Sequence, residues 1–359
     1  MYYIYVYSFL ISSFLCGIIV FFSSFHLKYT SRDHGNASIQ SMHDIPTPRI
    51  GGLAIFISIL ASAGFLMFSQ NTSLGLMILF GATPLFISGL LEDIGFLINP
   101  KIRLFASFFA GFLGCYLTGY WLSNLDFEFL DRIIIYTPFA IIFTSFCVAG
   151  ISNAFNIIDG MNGLSSGLAM IISLLLLIIS NSAGDLAISS LILIIIFSIL
   201  GFFIWNFPMG KLFLGDSGAY LVGFSLVWIS IILVERNEAI SPWCMFVIFS
   251  LPLIETVFSI FRRARQGKRK HDQPDDLHMH SLLLKRYLKK VFSSYSKLTQ
   301  NNLTSLTVLC FSSLASLSGL LAVDSSIKSI FIFIVIFIVY LAVYSRLVNF
   351  KWKIIFFIK

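Results

Sequence analysis

The chain has 359 residues, of which 57% are hydrophobic and only 11% charged, with a formal net charge of +7. A soluble globule carries about 25% charge, so the apolar surplus excludes a single water-soluble core. It also weakens the nucleic-acid reading of the positive balance, because basic loops in a bilayer protein set topology.

The apolar residues come in runs of about 20, long enough to cross a membrane. Helices are the expected spanning element because they satisfy their own backbone hydrogen bonds. Eleven spans are predicted, near 4–25, 51–69, 72–91, 104–123, 133–151, 164–181, 186–205, 218–234, 243–261, 303–323 and 328–349. Residues 4–25 are expected to be a first span rather than a removed signal, since no basic stretch precedes them and no convincing cleavage site follows. The five cysteines fall in apolar runs without C-x-x-C spacing, so they are expected to pack rather than to form disulfides or a thiolate metal site. The predicted architecture is all-α: a polytopic integral membrane protein forming one transmembrane catalytic domain over 1–359.

Lysine and arginine predict the orientation. Connections after odd-numbered spans carry seventeen, and those after even-numbered spans carry three, counting Lys328 at the edge of the last span. The positive-inside rule then puts the N-terminus outside and the C-terminus and odd connections in the cytoplasm. The longest connection, 262–302, contains an amphipathic pattern near 282–294. There Leu284, Tyr287, Leu288, Val291 and Phe292 follow helical spacing, while Lys285, Arg286, Lys289 and Lys290 take the other face. Such a helix is expected to lie on the cytoplasmic membrane surface.

Unusual polar residues gather in the odd connections. The first holds His34 and Pro46-Thr47-Pro48-Arg49-Ile50-Gly51-Gly52; the second holds Glu92-Asp93 and Lys101. The third holds Asn153, Asn156, Asp159-Gly160, Asn162 and Gly163, and the fourth Asn206, Lys211, Phe213 and Gly215-Asp216-Ser217-Gly218. The fifth holds Arg262, Arg263, Arg265, Asp275-Asp276, His278 and His280. Ionisable groups at the ends of membrane helices are costly and mark function. Adjacent carboxylates at 92 and 93 can hold magnesium or take a proton. Residues 153, 156 and 159 are spaced by three and can share a helix face; that set suits a hard cation or nucleotide hydroxyls. The Gly215–Gly218 run is not a Walker P-loop; its glycines admit a phosphate, Asp216 is a candidate metal ligand, and a simple helix N-cap at Asp216 or Ser217 is the plainer alternative. The two histidines would point together on an extended segment and apart on a helix, beside arginines that suit a pyrophosphate. No cysteine lies in this connection to build a structural zinc site with them.

These motifs resemble the polyprenyl-phosphate N-acetylhexosamine-1-phosphate transferases, the family that includes phospho-MurNAc-pentapeptide translocase and the enzymes starting O-antigen and teichoic-acid linkage synthesis. The likeness runs in order through PTPRIGG at 46–52, LEDIGFLINPKIR at 91–103, NAFNIIDGMNGLSSG at 153–167, NFPMGKLFLGDSG at 206–218 and PDDLHMHSLL at 274–283. It implies that undecaprenyl phosphate in a bacterial inner membrane attacks the β-phosphate of a UDP-N-acetylhexosamine at the cytoplasmic face, giving the lipid diphospho-sugar and UMP and starting an O-antigen-like glycan. It implies Mg2+, with Mn2+ as the alternative ion, and no nucleic acid; a homodimer is compatible with it. By position, Asp216 and Asn156 would ligate the metal. Phe213 would stack on uracil, Gly160 and Asn162 would meet its edge, and Asn206 would touch nucleotide or sugar. Glu92, Asp93, Asp159, His278 and His280 form the implied catalytic set, with Lys101, Arg262 and Arg263 on phosphates. Three departures from the family pattern stand out. Glu92 replaces the first Asp of an Asp-Asp pair, Asn162 replaces the second Asp of D-G-x-D-G, and Ser281 replaces a third histidine; Glu255 also stands where many members carry Asp.

The principal competing reading is a multi-span transporter or flippase of lipid-linked sugars. Transporter sites sit near the bilayer midplane at broken helices, whereas these polar residues sit at helix ends. A CDP-alcohol phosphotransferase would need an Ala-Arg pair and two further spaced aspartates after Asp159-Gly160, which 161–182 lack. A non-catalytic scaffold would leave the one-sided clustering unexplained.

Overall fold

In the computed structural model, residues 3–30, 46–266 and 277–349 are described, and among them every regular element is helical. His34, Asp275 and Asp276 lie outside the described residues. The chain runs α1 (Tyr3–Phe21), α2 (Ser23–Thr30), α3 (Gly51–Gln70), α4 (Leu74–Asp93) and α5 (Pro100–Thr118). It continues through α6 (Glu128–Ile134), α7 (Thr137–Ile158), α8 (Leu164–Ser182), α9 (Leu186–Asn206) and α10 (Gly215–Arg236). It ends with α11 (Pro242–Ile248), α12 (Ser250–Gln266), α13 (Met279–Leu283), α14 (Lys289–Val291), α15 (Lys297–Leu317) and α16 (Ser326–Val348).

Nine of the described helices are long and apolar enough to span a membrane, and α11 with α12 makes a tenth if that pair is one span. The protein is a multi-pass membrane protein. The remaining segment of the predicted eleven is α5. It begins four residues before the predicted 104, since Asn99 caps it by accepting from Lys101 N at 2.9 Å and Pro100 fits its first turn. It ends at Gly119, which takes the left-handed conformation (φ 72°). Lys101 and Arg103 in that first turn make its start polar.

The predicted span 243–261 is a corner. α11 and α12 meet at 80° around Phe249, and Pro252 stands in the first turn of the new helix, where a missing N–H costs nothing. The predicted span 4–25 is interrupted by a turn at Phe22, after which α2 begins.

α10 is the axis of the molecule. Its whole apolar window is buried, and it packs against α3, α4, α7 and α8. Lipid gives little hydrophobic drive between helices, so close packing and interhelical hydrogen bonds hold such bundles. Both are present: Phe224 and Trp228 stack at 5.4 Å within α10, and serines join α1, α3 and α9 through Ser8–Ser62 at 2.7 Å and Ser58–Ser198 at 2.8 Å.

The predicted amphipathic helix is present as α13, a π-turn over Leu284–Leu288 and α14. Leu284 and Leu288 are buried against the protein, while Lys285, Lys289 and Lys290 face outward. Arg286 reaches the last carbonyls of α16, Leu347 O at 3.0 Å and Val348 O.

Candidate active site

The odd connections meet at one end of the bundle. The segment Pro48–Gly52 runs alongside 213–214, with Phe213 N donating to Pro48 O at 2.9 Å, Gly51 N to Phe213 O at 3.0 Å and Gly52 N to Leu214 O at 2.9 Å. A Cβ on Gly52 would stand 2.3 Å from Gly218 N, and one on Gly215 (φ 76°) would stand 1.9 Å from Arg49 O. These two glycines let the start of α3 and the start of α10 touch backbone to backbone.

That contact places the charges. α10 has no side-chain cap of its own; its orphan N–H groups are met by Asp93 at the end of α4. Asp216 N donates to Asp93 Oδ1 at 2.8 Å, and Ser217 N and Oγ donate to Oδ2 at 2.9 and 2.6 Å. Asp93 is 5% exposed, and both its oxygens serve the helix start. The N-cap expected at Asp216 or Ser217 is thus supplied by a different helix. The Asp216 carboxylate points away from this cap into an arginine clamp, Arg103 Nη1 at 2.9 Å and Arg49 Nη2 at 3.5 Å. Glu92 Oε2 lies 3.2 Å from the same Arg103 nitrogen but off the hydrogen-bonding direction; it is a charge contact. Glu92 Oε2, Arg49 Nε and Arg103 Nε are buried without a hydrogen-bond partner. In a native structure such groups are rare, and water, an ion or a ligand meets them.

Beside the clamp lies a cleft of about 410 Å³. Arg49, Asp159, Gly160, Asn162, Phe213 and Asn301 are among its walls. Asp159 follows the last turn of α7. Loss of solvent pushes its carboxyl up; Arg49 pulls it back part of the way and Asp216 adds to the rise, leaving it at about 7. Asn156, one turn earlier, donates to Tyr220 Oη of α10 at 3.1 Å, which leaves its amide oxygen for another partner. Asn153 turns away, to Ser107 Oγ and Ala149 O.

His280 borders the cleft, since a Cβ on Gly160 would stand 2.5 Å from its Nε2. His278 precedes α13 in an extended conformation (ψ 150°), so the two imidazoles stack at 5.6 Å and 8°. Both therefore point the same way. Glu255 of α12, 2% exposed, sets this pose by taking His278 Nδ1 at 3.2 Å and Met279 N at 2.9 Å.

Other predicted residues take different places. Asn206 is buried and bridges Gly163 N at 2.6 Å to Leu212 O at 2.8 Å, forming the cleft wall with its backbone ties satisfied. Arg262 donates to Leu277 O at 2.6 Å and Tyr344 Oη at 2.8 Å, fixing the approach to the histidines. Arg263 is half-buried on the same helix, and Lys101 is exposed on α5. Arg49, Arg103, Glu255, Asn301 and Asn302 join the site without having been assigned a role from sequence. Arg49 lies inside the PTPRIGG run and Arg103 ends the second motif, which was the available signal.

The donor set is compatible with a hard divalent cation. Asp216, Asn156 and Glu92 offer only oxygen, which suits magnesium. Among the described residues no three His, Cys, Asp or Glu side chains stand close enough to hold an ion alone. A cation here would complete its shell with diphosphate oxygens and water, as magnesium commonly does.

The family model described as glycosyl transferase family 4 matches residues 74–234. A Bacillus subtilis (strain 168) protein named "Probable undecaprenyl-phosphate N-acetylglucosaminyl 1-phosphate transferase" is 30% identical over 251 residues, 69% of this chain and 68% of that one. The Escherichia coli (strain K12) "Undecaprenyl-phosphate alpha-N-acetylglucosaminyl 1-phosphate transferase" is 27% identical over 328 residues, 90% and 85% of the two chains. A Thermotoga maritima protein of the same name is 27% identical over 277 residues, 77% and 80%.

Proposed function

Because this chain belongs to glycosyl transferase family 4 and is a glycosyl-1-phosphate transferase, we propose that it moves N-acetylhexosamine 1-phosphate from a UDP-sugar to undecaprenyl phosphate, releasing UMP. The observation that carries the reading is the meeting of three sequence-distant motifs around one cleft, with His280 at its border and, at its edge, an aspartate clamped by Arg49 and by Arg103 of a fourth motif. Phosphoryl transfer asks a protein chiefly for positioning and charge neutralisation, and this end of the bundle supplies both.

Each residue then has a task. Phe213 and Asn162 hold the nucleotide base in the cleft. Arg49 and Arg103 release Asp216 and turn to the incoming diphosphate, for which their Nε–H groups, without a protein partner, are available. Asp216 and Asn156 would hold Mg2+, which would neutralise diphosphate charge there. Asp93 is spent on the start of α10, so the proton of the lipid phosphate falls to Glu92, whose Oε2 has no hydrogen bond. A lipid phosphate oxygen bonds to the β-phosphorus, the bond from that phosphorus to the bridging oxygen breaks, and UMP leaves with the electron pair. His278 and His280, steadied by Glu255, face the departing charge. The reading places this end in the cytoplasm of a bacterial inner membrane, in keeping with the seventeen-to-three charge bias, and the product would start an O-antigen-like glycan.

The test is purified protein in detergent with Mg2+, undecaprenyl phosphate and a panel of UDP-N-acetylhexosamines, following UMP. Lipid-dependent UMP from one donor is expected. Folded protein that releases none with any donor would overturn the proposal and favour a transporter.

A further inference from the structure

Three asparagines tie the cleft to α15 in a fixed order. Pro208 O can only accept, so the amide of Asn302, 2.7 Å away, presents its Nδ2 there. Its Oδ1 therefore faces Asn162, which must offer Nδ2 in return over a long 3.5 Å contact. That leaves Asn162 Oδ1 as an acceptor. In parallel, the Asn162 N–H can only donate, and it meets Asn301 Oδ1 at 2.9 Å. Asn301 Nδ2 is then a donor with no protein acceptor among the described residues, although Asn301 is 3% exposed and lines the cleft beside Asn162. The chain fixes amide orientations that are otherwise ambiguous. It also gives Asn at 162 a reason: a carboxylate there would set two acceptors face to face with Asn302 Oδ1.

We propose that Asn301 is a base-reading residue. Its Nδ2 donates to O4 of uracil while Asn162 Oδ1 accepts from N3–H. An acceptor beside a donor complements the imide edge of uracil, which shows N3–H next to a carbonyl. Cytosine shows the reverse on that edge, an N3 acceptor beside an N4 amino donor, and would leave both asparagines mispaired. Sites that hydrogen-bond a substrate group reject analogues lacking it, because their own polar groups are left unpaired. The inference rests on the nucleotide reading above and adds the residue, from a helix outside the five motifs, that distinguishes uridine from cytidine.

The experiment measures UMP and CMP binding by calorimetry on the purified full-length protein, wild type, Asn301→Ala and Asn301→Asp. Wild type is expected to prefer UMP. Asn301→Ala should lose about ten- to hundredfold in UMP affinity and little for CMP. Asn301→Asp keeps the oxygen that accepts from Asn162 N and replaces the donor by an acceptor, so the UMP:CMP ratio should move toward CMP. That ratio does not depend on the folded fraction. A wild type that binds UMP selectively, with both variants keeping its ratio, overturns this inference alone. A wild type with no UMP selectivity overturns it together with the nucleotide reading.

Discussion

The two ends of the bundle hold similar groups and use them differently. At the end away from the motifs, the charges are met by protein partners. Arg236 Nε pairs with Asp185 at 3.1 Å, Glu235 takes Ser123 N and Oγ at 2.9 and 2.6 Å, and Asp131 takes Leu125 N at 2.6 Å. Asp185 also caps α9 through Ile188 N. No charged group described there is buried without a hydrogen bond. At the motif end, Asp216 holds two arginines and shares one of them, Arg103, with Glu92, while Glu92 Oε2, Arg49 Nε and Arg103 Nε make no hydrogen bond. Satisfied charges close loops; unsatisfied ones around a cleft are held ready for a ligand.

The largest effect should come from Asp216→Asn. Removing a preorganised charge at a phosphoryl-transfer site costs about two to three orders of magnitude in turnover, read as UMP release, with little change in melting temperature. Arg236→Ala at the other end should do the opposite. It strands the buried Asp185 carboxylate and lowers stability by about 1–2 kcal/mol, discounted for the partial exposure of Arg236, while turnover per folded molecule stays at the wild-type value. Equal losses of turnover in the two variants would falsify the division between the ends.

A finer cut separates neighbours at the motif end. Asp93→Asn puts an amide donor against Ser217 N–H and should cost about 1–3 kcal/mol of stability along with activity, because the start of α10 carries Asp216. Glu92→Gln should lower turnover about a hundredfold if Glu92 takes the proton, with melting unchanged. A melting loss in Glu92→Gln as large as in Asp93→Asn would remove the distinction between a capping and a reacting carboxylate.

The same contrast explains what the sequence made legible. Apolar runs located the helices, and 51–69 and 186–205 fall within a residue of α3 and α9. Polarity misled at helix ends: the predicted 133–151 stops short of Ile158 because Asn153 and Asn156 read as loop, yet both lie on α7. The corner at Phe249 was hidden inside an unbroken apolar run. Within the site, residues in dense motifs were found, while partners contributed by distant helices were not. Nothing in the local pattern tells that Asp93 caps α10, that Glu255 orients His278, or that Asn301 reaches Asn162, since each depends on which helix ends meet.

The smallest effect concerns pH at the motif end. Asp159 at the cleft sits at about 7, against roughly 3.9 in an unfolded chain. A raised carboxyl favours the protonated folded state, so its stabilising contribution is complete below about 4 and is lost as pH rises through 7. Apparent melting temperature should therefore fall between about pH 4 and 7 and level off above, and Asp159→Asn, which cannot ionise, should flatten that slope. An anionic diphosphate entering the cleft adds negative charge near Asp159 and raises its midpoint further. Donor binding near pH 7 without added cation is thus expected to take up a fraction of a proton. Calorimetry in two buffers of different ionisation enthalpy measures this, and the uptake should vanish in Asp159→Asn; a proton count that the variant leaves unchanged assigns the linkage to another group.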